Sequence, residues 1–210
     1  VDAPSWNERY RTEDLIWRAE PNRSLVEEVV GLAPGRALDV ACGEGRNAVW
    51  LASQGWRVTG VDFSVEGLAK ARRVAAERSV VVEWIEADVT SWMPRSSSYD
   101  LVLLAYVHMP AALRTQLHRH MATGVAPGGT LLVIAHDLTN LVNGYGGPQN
   151  ADVLFTPEDV VRDVAGIGMD VVVAKRVERP VDTDEGVRVA IDVVVKMSRP
   201  HDGGANSGDA

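Results

Sequence analysis

The sequence predicts a doubly wound α/β domain: a mostly parallel sheet with helices on both faces and an antiparallel hairpin at its end. Three observations carry this. Short runs rich in Val, Leu and Ile alternate with amphipathic stretches from Arg36 onward. The first such unit, residues 38–48, passes from an apolar strand through two glycines into a helix. The last two apolar runs follow one another with no helix between them, as in a hairpin added to a parallel sheet.

Taken in order, residues 1–35 come first, with three pieces that carry tryptophan or helical periodicity. These are Trp6-Asn7-Glu8-Arg9-Tyr10, then Leu15-Ile16-Trp17, then 21–32, where Leu25, Val26, Val29 and Val30 recur at helical spacing before Gly31 and Pro34. Too polar to fold alone, this zone is expected to be a helical cover whose aromatic residues pack on the domain that follows. Strands are expected over 36–42, 56–62, 80–86, 99–105 and 130–136, with helices over 46–53, 65–78, 111–123 and 157–166. The last helix opens on Thr156-Pro157-Glu158-Asp159, a capping residue followed by proline and two acids. Right-handed crossovers between such strands put helices on both faces. The hairpin is expected over 169–179 and 187–196, joined by 180–186. The core thus spans 36–197, and the polar stretch 198–210 is expected to be a disordered tail. Residues 138–155 are long for a connection; Tyr145, among Gly144, Gly146 and Gly147, suits a lid, with a solvated loop as the plainer alternative.

Composition narrows the function. A chain of 210 residues with 46% hydrophobic content has room for one domain and one core. A net charge of -8, with Lys and Arg scattered, argues against a phosphate-tracking surface, so nucleic acid is not an expected partner. Cys42 is the only cysteine, which leaves no disulfide framework and no cysteine-rich metal site. With no histidine near it in sequence, Cys42 reads as a small core residue. Without a long apolar stretch or a signal-peptide pattern, the chain is expected to be cytoplasmic and free of membrane.

The chemistry centres on Leu38-Asp39-Val40-Ala41-Cys42-Gly43-Glu44-Gly45-Arg46-Asn47-Ala48. The glycines let a nucleotide approach the backbone, and the following helix offers free N–H groups to an anionic ligand group. Asp62, ending the second strand, can accept hydrogen bonds from both hydroxyls of a ribose. Gly43-x-Gly45-x-x-Ala48 also satisfies the dinucleotide fingerprint, so an NAD-dependent oxidoreductase is the alternative. Asp39 counts against it: an acid inside the first strand suits a cationic ligand better than a pyrophosphate. So do Asp88, an acid after the third strand where an adenine amino group would lie, and the C-terminal hairpin.

Asp39-x-x-Cys42-Gly43-x-Gly45, Val61-Asp62-Phe63-Ser64 and Ala87-Asp88-Val89 resemble the successive cofactor motifs of class I S-adenosylmethionine-dependent methyltransferases. Within that class, Gly45-Arg46-Asn47 and Trp6-x-x-Arg9-Tyr10 are similar to the tellurite-resistance and thiopurine methyltransferase branch. The resemblance implies a Rossmann-like, seven-stranded sheet and methyl transfer from S-adenosylmethionine, with S-adenosylhomocysteine as product. It places Asp39, Ala41 and Gly43 beside the methionine end, Gly45 at the turn, Asp62 on the ribose and Phe63 on the adenine face. Ala87, Asp88 and Val89 would lie at the adenine edge, and Ala105 and Tyr106 on the methyl-donor side. Asn47 is placed with the cofactor too, or serves only the turn; Trp6 and Tyr10 would close the cleft from the cover. A binding module without catalysis is the other alternative.

A sulfonium donor is already activated, so the protein has to hold acceptor and methyl collinear and dry. A hydroxyl or protonated amine acceptor needs a base, whereas a soft or anionic one does not. His108 and His136 fall at the carboxyl ends of the fourth and fifth strands, where reacting groups sit in such sheets. The plainer readings have His108 capping the next helix, His136 held by a backbone carbonyl, and Asp137 closing a turn. His118 and His120, two apart on a helix, point to nearly opposite sides and are expected at the surface. Class members that methylate nucleic-acid bases or protein amides carry an Asn/Asp-Pro-Pro-aromatic motif after the fourth strand. Here Ala105-Tyr106-Val107-His108 stands in its place, which points to a small-molecule acceptor.

Overall fold

A strand buried on both faces reads as a near-continuous apolar run, and β1 (Arg36–Val40) and β4 (Tyr99–Ala105) show this apart from the exposed Arg36 and Asp100 and the buried Asp39. In the computed structural model, which describes residues 3–12, 15 and 20–201, these two pair in parallel at the centre of a seven-stranded sheet. β2 (Arg57–Asp62) and β3 (Val82–Glu86) extend it on one side, and β5 (Val125–His136) on the other. β7 (Gly186–Ser198) runs antiparallel to β5, and β6 (Asp170–Thr183) closes the edge. The order is β3-β2-β1-β4-β5-β7-β6.

The helices divide between the faces. α1 (Ala3–Tyr10) belongs to the N-terminal zone, followed by α2 (Arg23–Val29), α3 (Arg46–Ser53) and α4 (Val65–Glu77). On one face Leu25 and Val29 of α2 and Ala48 and Leu51 of α3 pack on Ala37, Leu101 and Leu103. On the other, α5 (Ala111–Thr123) and α7 (Pro157–Asp163) set Leu117, Met121 and Val160 against Leu38, Val102 and Leu104. α7 begins with the expected signal: the Thr156 hydroxyl takes the Asp159 N–H, and the Asp159 carboxylate takes the Thr156 N–H.

The elements depart from expectation in four places. β5 starts at Val125, ahead of Pro127-Gly128-Gly129, because Val125 pairs with Tyr99 before the register shifts. β6 continues through Pro180, which an edge strand tolerates because its missing N–H costs no ladder bond. β7 runs on to Ser198, and Arg199 still exchanges backbone hydrogen bonds with Gly128 and Gly129. His118, expected at the surface, is buried at 1% exposure: its Nδ1 meets Asp163 Oδ2 at 2.9 Å. Asp163 also accepts from Arg114 Nε and Thr115 Oγ1, so this polar knot locks α5 to α7. Trp17 and the last nine residues of the tail lie outside the described residues.

Candidate active site

The carboxyl ends of β1, β2, β4 and β5 converge on one cleft, and the backbone there is strained in two matching places. Ala41, just after β1, has φ 55°, and Tyr106, just after β4, has φ 59°. Left-handed non-glycine residues cost energy and gather where a site over-determines the chain. Between them runs the glycine loop. Gly45 has φ 77°, and a Cβ there would lie 2.6 Å from the Trp84 ring, so no other residue fits without a shift. A Cβ on Gly43 would lie 2.6 Å from the Tyr10 hydroxyl, which shows how closely α1 covers this loop. Trp6 stacks on Tyr10 at 5.4 Å, and the Asn7 side-chain oxygen accepts from the Ser64 hydroxyl at 2.6 Å. Beneath the cover, Lys70 pairs with the buried Glu44 at 3.0 Å and donates to Thr12 Oγ1 at 3.3 Å, joining loop, α4 and N-terminal segment.

Asp39 lies at the floor of the cleft, 2% exposed, and its Oδ2 has no hydrogen-bond partner among the described residues. Burial pushes its pKa up to about 7, against the lowering pull of the Ala48 backbone and Arg46. A buried acid left without a cation is costly unless a ligand supplies one. Asp62 accepts the Gly43 N–H at 2.8 Å and the Ser64 N–H at 2.8 Å, so it ties the glycine loop to the end of β2. Its carboxyl is raised by burial, which those backbone bonds partly offset. Beyond β3, Asp88 takes the Thr90 N–H and hydroxyl, beside half-buried Ala87 and buried Val89; Phe63 is half-buried after β2. The Asn47 side-chain oxygen accepts the Asn22 N–H at 2.9 Å, which docks the start of α2 on α3.

A second cluster lies where β4, β5 and the hairpin meet. Asp192, fully buried, accepts from the Tyr106 hydroxyl at 2.8 Å and from Arg179 Nε at 2.6 Å. His136 Nδ1 sits 3.2 Å from Asp192 Oδ1, close enough for an ion pair yet off the hydrogen-bonding angle. Burial raises the Asp192 carboxyl, but the contacts from His136, Arg179 and Tyr106 outweigh it and hold the group below the ordinary carboxylate range. Asn22 Nδ2 donates to the Tyr106 hydroxyl at 3.0 Å. His108 stacks on His136 with ring centroids 5.5 Å apart, and its Nε2 accepts the His136 backbone N–H at 3.2 Å. Burial lowers its pKa to about 4, with the neighbouring His136 as the second cause. His108 is therefore a neutral prop under the backbone of His136 at physiological pH, and it does not cap α5.

Asp137 closes a turn by accepting the Thr139 N–H and hydroxyl, and pairs with Arg176 at 2.9 Å. The histidine is faced by Asp192 instead. Residues 138–155 are ordered, with α6 (Asn140–Asn143) and a 3-10 turn at Ala151–Val153. Asn140 pins the segment: its oxygen accepts the Ile191 N–H and its amide donates to the Gly146 carbonyl. Gly147 lies so close over the His136 ring that a Cβ would come within 2.6 Å of it, while Tyr145 is 46% exposed. Sequence reading missed Asp192, Arg179, Asn22 and Arg46. One signal was available for the first: an acid inside the Val-rich run 187–196 must be buried and partnered.

Residues 37–129 match the family described as methyltransferase domain. Demethylmenaquinone methyltransferase of Thermus thermophilus is 34% identical over 58% of this chain and 54% of its own length. Trans-aconitate 2-methyltransferase of an Azoarcus species is 30% identical over 78% of this chain and 61% of its own. The chain thus spans under two thirds of either relative. The N-methyltransferase NodS of Bradyrhizobium japonicum, solved with S-adenosylhomocysteine, superposes with a TM-score of 0.69 at 17% identity over 95% of this chain and 98% of its own. The matched segment carries the glycine loop, Asp62 and Asp88, so the motifs of the cleft lie within a stretch similar to a methyltransferase domain, and the fold is that of the superposed N-methyltransferase. The cleft suits S-adenosylmethionine: an orphaned buried acid for its cationic end, a glycine cradle, and an acid at the end of β2. A dinucleotide sheet ends in a parallel sixth strand, where this one ends in an antiparallel hairpin.

Proposed function

We propose that the protein transfers the methyl group of S-adenosylmethionine to a small-molecule acceptor bound at the ends of β4 and β5. The observation that carries this reading is Asp39, a buried carboxylate with an unpartnered oxygen directly under the glycine loop. The cofactor supplies a methyl already activated for in-line displacement, so the residues around it bind, align and exclude water. Asp39, Ala41, Gly43 and Gly45 hold the methionine end; Asp62 takes the ribose, and Phe63, Ala87, Asp88 and Val89 frame the adenine. Asn47 acts through Asn22, by setting α2 against the cleft. Ala105 and Tyr106 line the transfer end. Trp6 and Tyr10 of α1 close the cleft, a role supported by the contact of Tyr10 with Gly43.

His136 is the base where the acceptor is a hydroxyl or a protonated amine. Asp192 faces its Nδ1 and His108 holds its backbone, so Nε2, beside Gly147, is the nitrogen left to work on an acceptor. Radiolabelled methyl transfer to a panel of alcohols, phenols, thiols and metalloid oxyanions tests the function. With a hydroxyl acceptor, His136→Ala is expected to cut turnover ~10²–10⁴-fold while leaving cofactor affinity within about a factor of two. Wild-type turnover in that variant removes the base and leaves positioning as the whole of the catalysis.

Asp62→Ala is expected to weaken S-adenosylhomocysteine binding by about 1.5–3 kcal/mol, the range for hydrogen bonds to a charged group. It also releases the Gly43 and Ser64 N–H groups, so a modest fall in melting temperature should accompany it. Calorimetry showing unchanged affinity in a folded variant would take Asp62 out of the site.

A further inference from the structure

We propose that the methyl acceptor carries a negative charge, a carboxylate or a comparable oxyanion, held by Arg46 with Arg179 behind it. The inference rests on the transferase reading above and names the substrate class for that site. Arg46 opens α3, and its guanidinium lies 6.0 Å from the centroid of the Tyr106 ring. Arg179 reaches the same ring from the hairpin, at 5.7 Å. Arg179 is neutralised: its Nε meets Asp192 Oδ2 at 2.6 Å. Arg46 has no hydrogen-bond or ion-pair partner among the described residues. Burial draws its pKa below the ordinary value, and the like charge of Arg179 pulls the same way, only partly offset by Tyr106 and Asp39. Guanidinium groups are built for bidentate contact with carboxylates and oxyanions, so a sheltered one without a protein acceptor suits such a group.

Position supports the acceptor: Arg46 opens α3 and its guanidinium faces Tyr106, which lines the transfer end after β4, with Asp39 and Tyr10 also near its charge. Charge agrees. Arg46 and Arg179 are matched by Asp39 and Asp192, and a donor bearing a sulfonium, an ammonium and a carboxylate adds one net positive charge to this low-dielectric pocket. An anionic acceptor restores the balance, and its charge is closest to the sulfonium as the two approach.

The rival claimant for Arg46 is the carboxylate of the cofactor itself, and the test separates the two. Protein saturated with S-adenosylhomocysteine is titrated with benzoate and succinate and with their neutral amides, benzamide and succinamide, followed by NMR. At least one acid should bind about tenfold or more tightly than its amide. Arg46→Met should abolish that preference and Arg46→Lys keep part of it, with S-adenosylhomocysteine affinity in both variants within about threefold of wild type. The proposal is overturned if neither acid is preferred, or if the preference survives Arg46→Met. It is overturned equally if Arg46→Met loses about tenfold or more in S-adenosylhomocysteine affinity yet binds decarboxylated S-adenosylmethionine like wild type, since the guanidinium then belongs to the cofactor. Wild-type protein that binds no S-adenosylhomocysteine at all would bring down the transferase reading, and this inference with it.

Discussion

Asp39→Asn is expected to make the cofactor-free protein more stable and the cofactor site much weaker. The carboxyl titrates near 7 in the folded chain because burial disfavours its charge, against about 3.9 in an unfolded one. The folded state therefore holds the proton over a window in which the unfolded state has lost it. Stability falls as pH rises from about 4 to about 7, and the penalty is fully present above that. An amide carries no charge to desolvate, although its own hydrogen bonds remain incompletely met. The net gain expected at about pH 8 is on the order of 1–3 kcal/mol, a rise of roughly 2–12 °C in melting temperature for a chain of this size. The substituted protein should also lose most of the fall in stability that the wild type shows between about pH 4 and about pH 7. Cofactor affinity should drop by about 30-fold or more, since the cationic end loses its counter-charge. A variant that melts no higher than wild type at about pH 8, or binds cofactor equally well, would show that Asp39 is satisfied in the free protein.

Asp192 should behave in the opposite way. It is buried completely, but it is partnered by Arg179 and the Tyr106 hydroxyl and faces His136. Asp192→Ala removes one member of this group and strands the others, which costs about 3–5 kcal/mol for a buried pair broken on one side. Arg179 is 25% exposed and can turn partly to water, so the lower end of that range is expected. Asp192→Asn keeps an acceptor for Tyr106 and should cost less than the alanine variant. Urea unfolding with an unchanged slope would measure both. A loss below about 1 kcal/mol for the alanine variant would mean that the cluster is no better than a surface ion pair. Two buried acids in one cleft thus differ in sign: one is met by the protein, the other waits for a ligand.

Much of this was legible in the residues. The alternation of apolar runs and amphipathic helices foretold the parallel sheet, since its central strands β1, β2 and β4 and most of β5 are buried on both faces. The pairing of the last two runs without a helix foretold the hairpin. Asp39, Gly43, Gly45 and Asp62 could be singled out because their chemistry depends on neighbours close in sequence: a strand end, a turn and a helix start. What the sequence could not determine depends on contacts between distant segments. His118 looked like surface on its own helix, and only α7, bringing Asp163, made it core. His108 and His136 read as equals after consecutive strands. The fold separates them, because the backbone of one strand end occupies the ring nitrogen of the other while a hairpin strand delivers Asp192 to the second. Arg46 sat inside the glycine motif all along, but whether its charge is paired depends on where Arg179, Tyr106 and Asp39 come to rest. Periodicity and turn chemistry are local and survive in the one-dimensional string, whereas the state of a buried charge is fixed by every element packed around it.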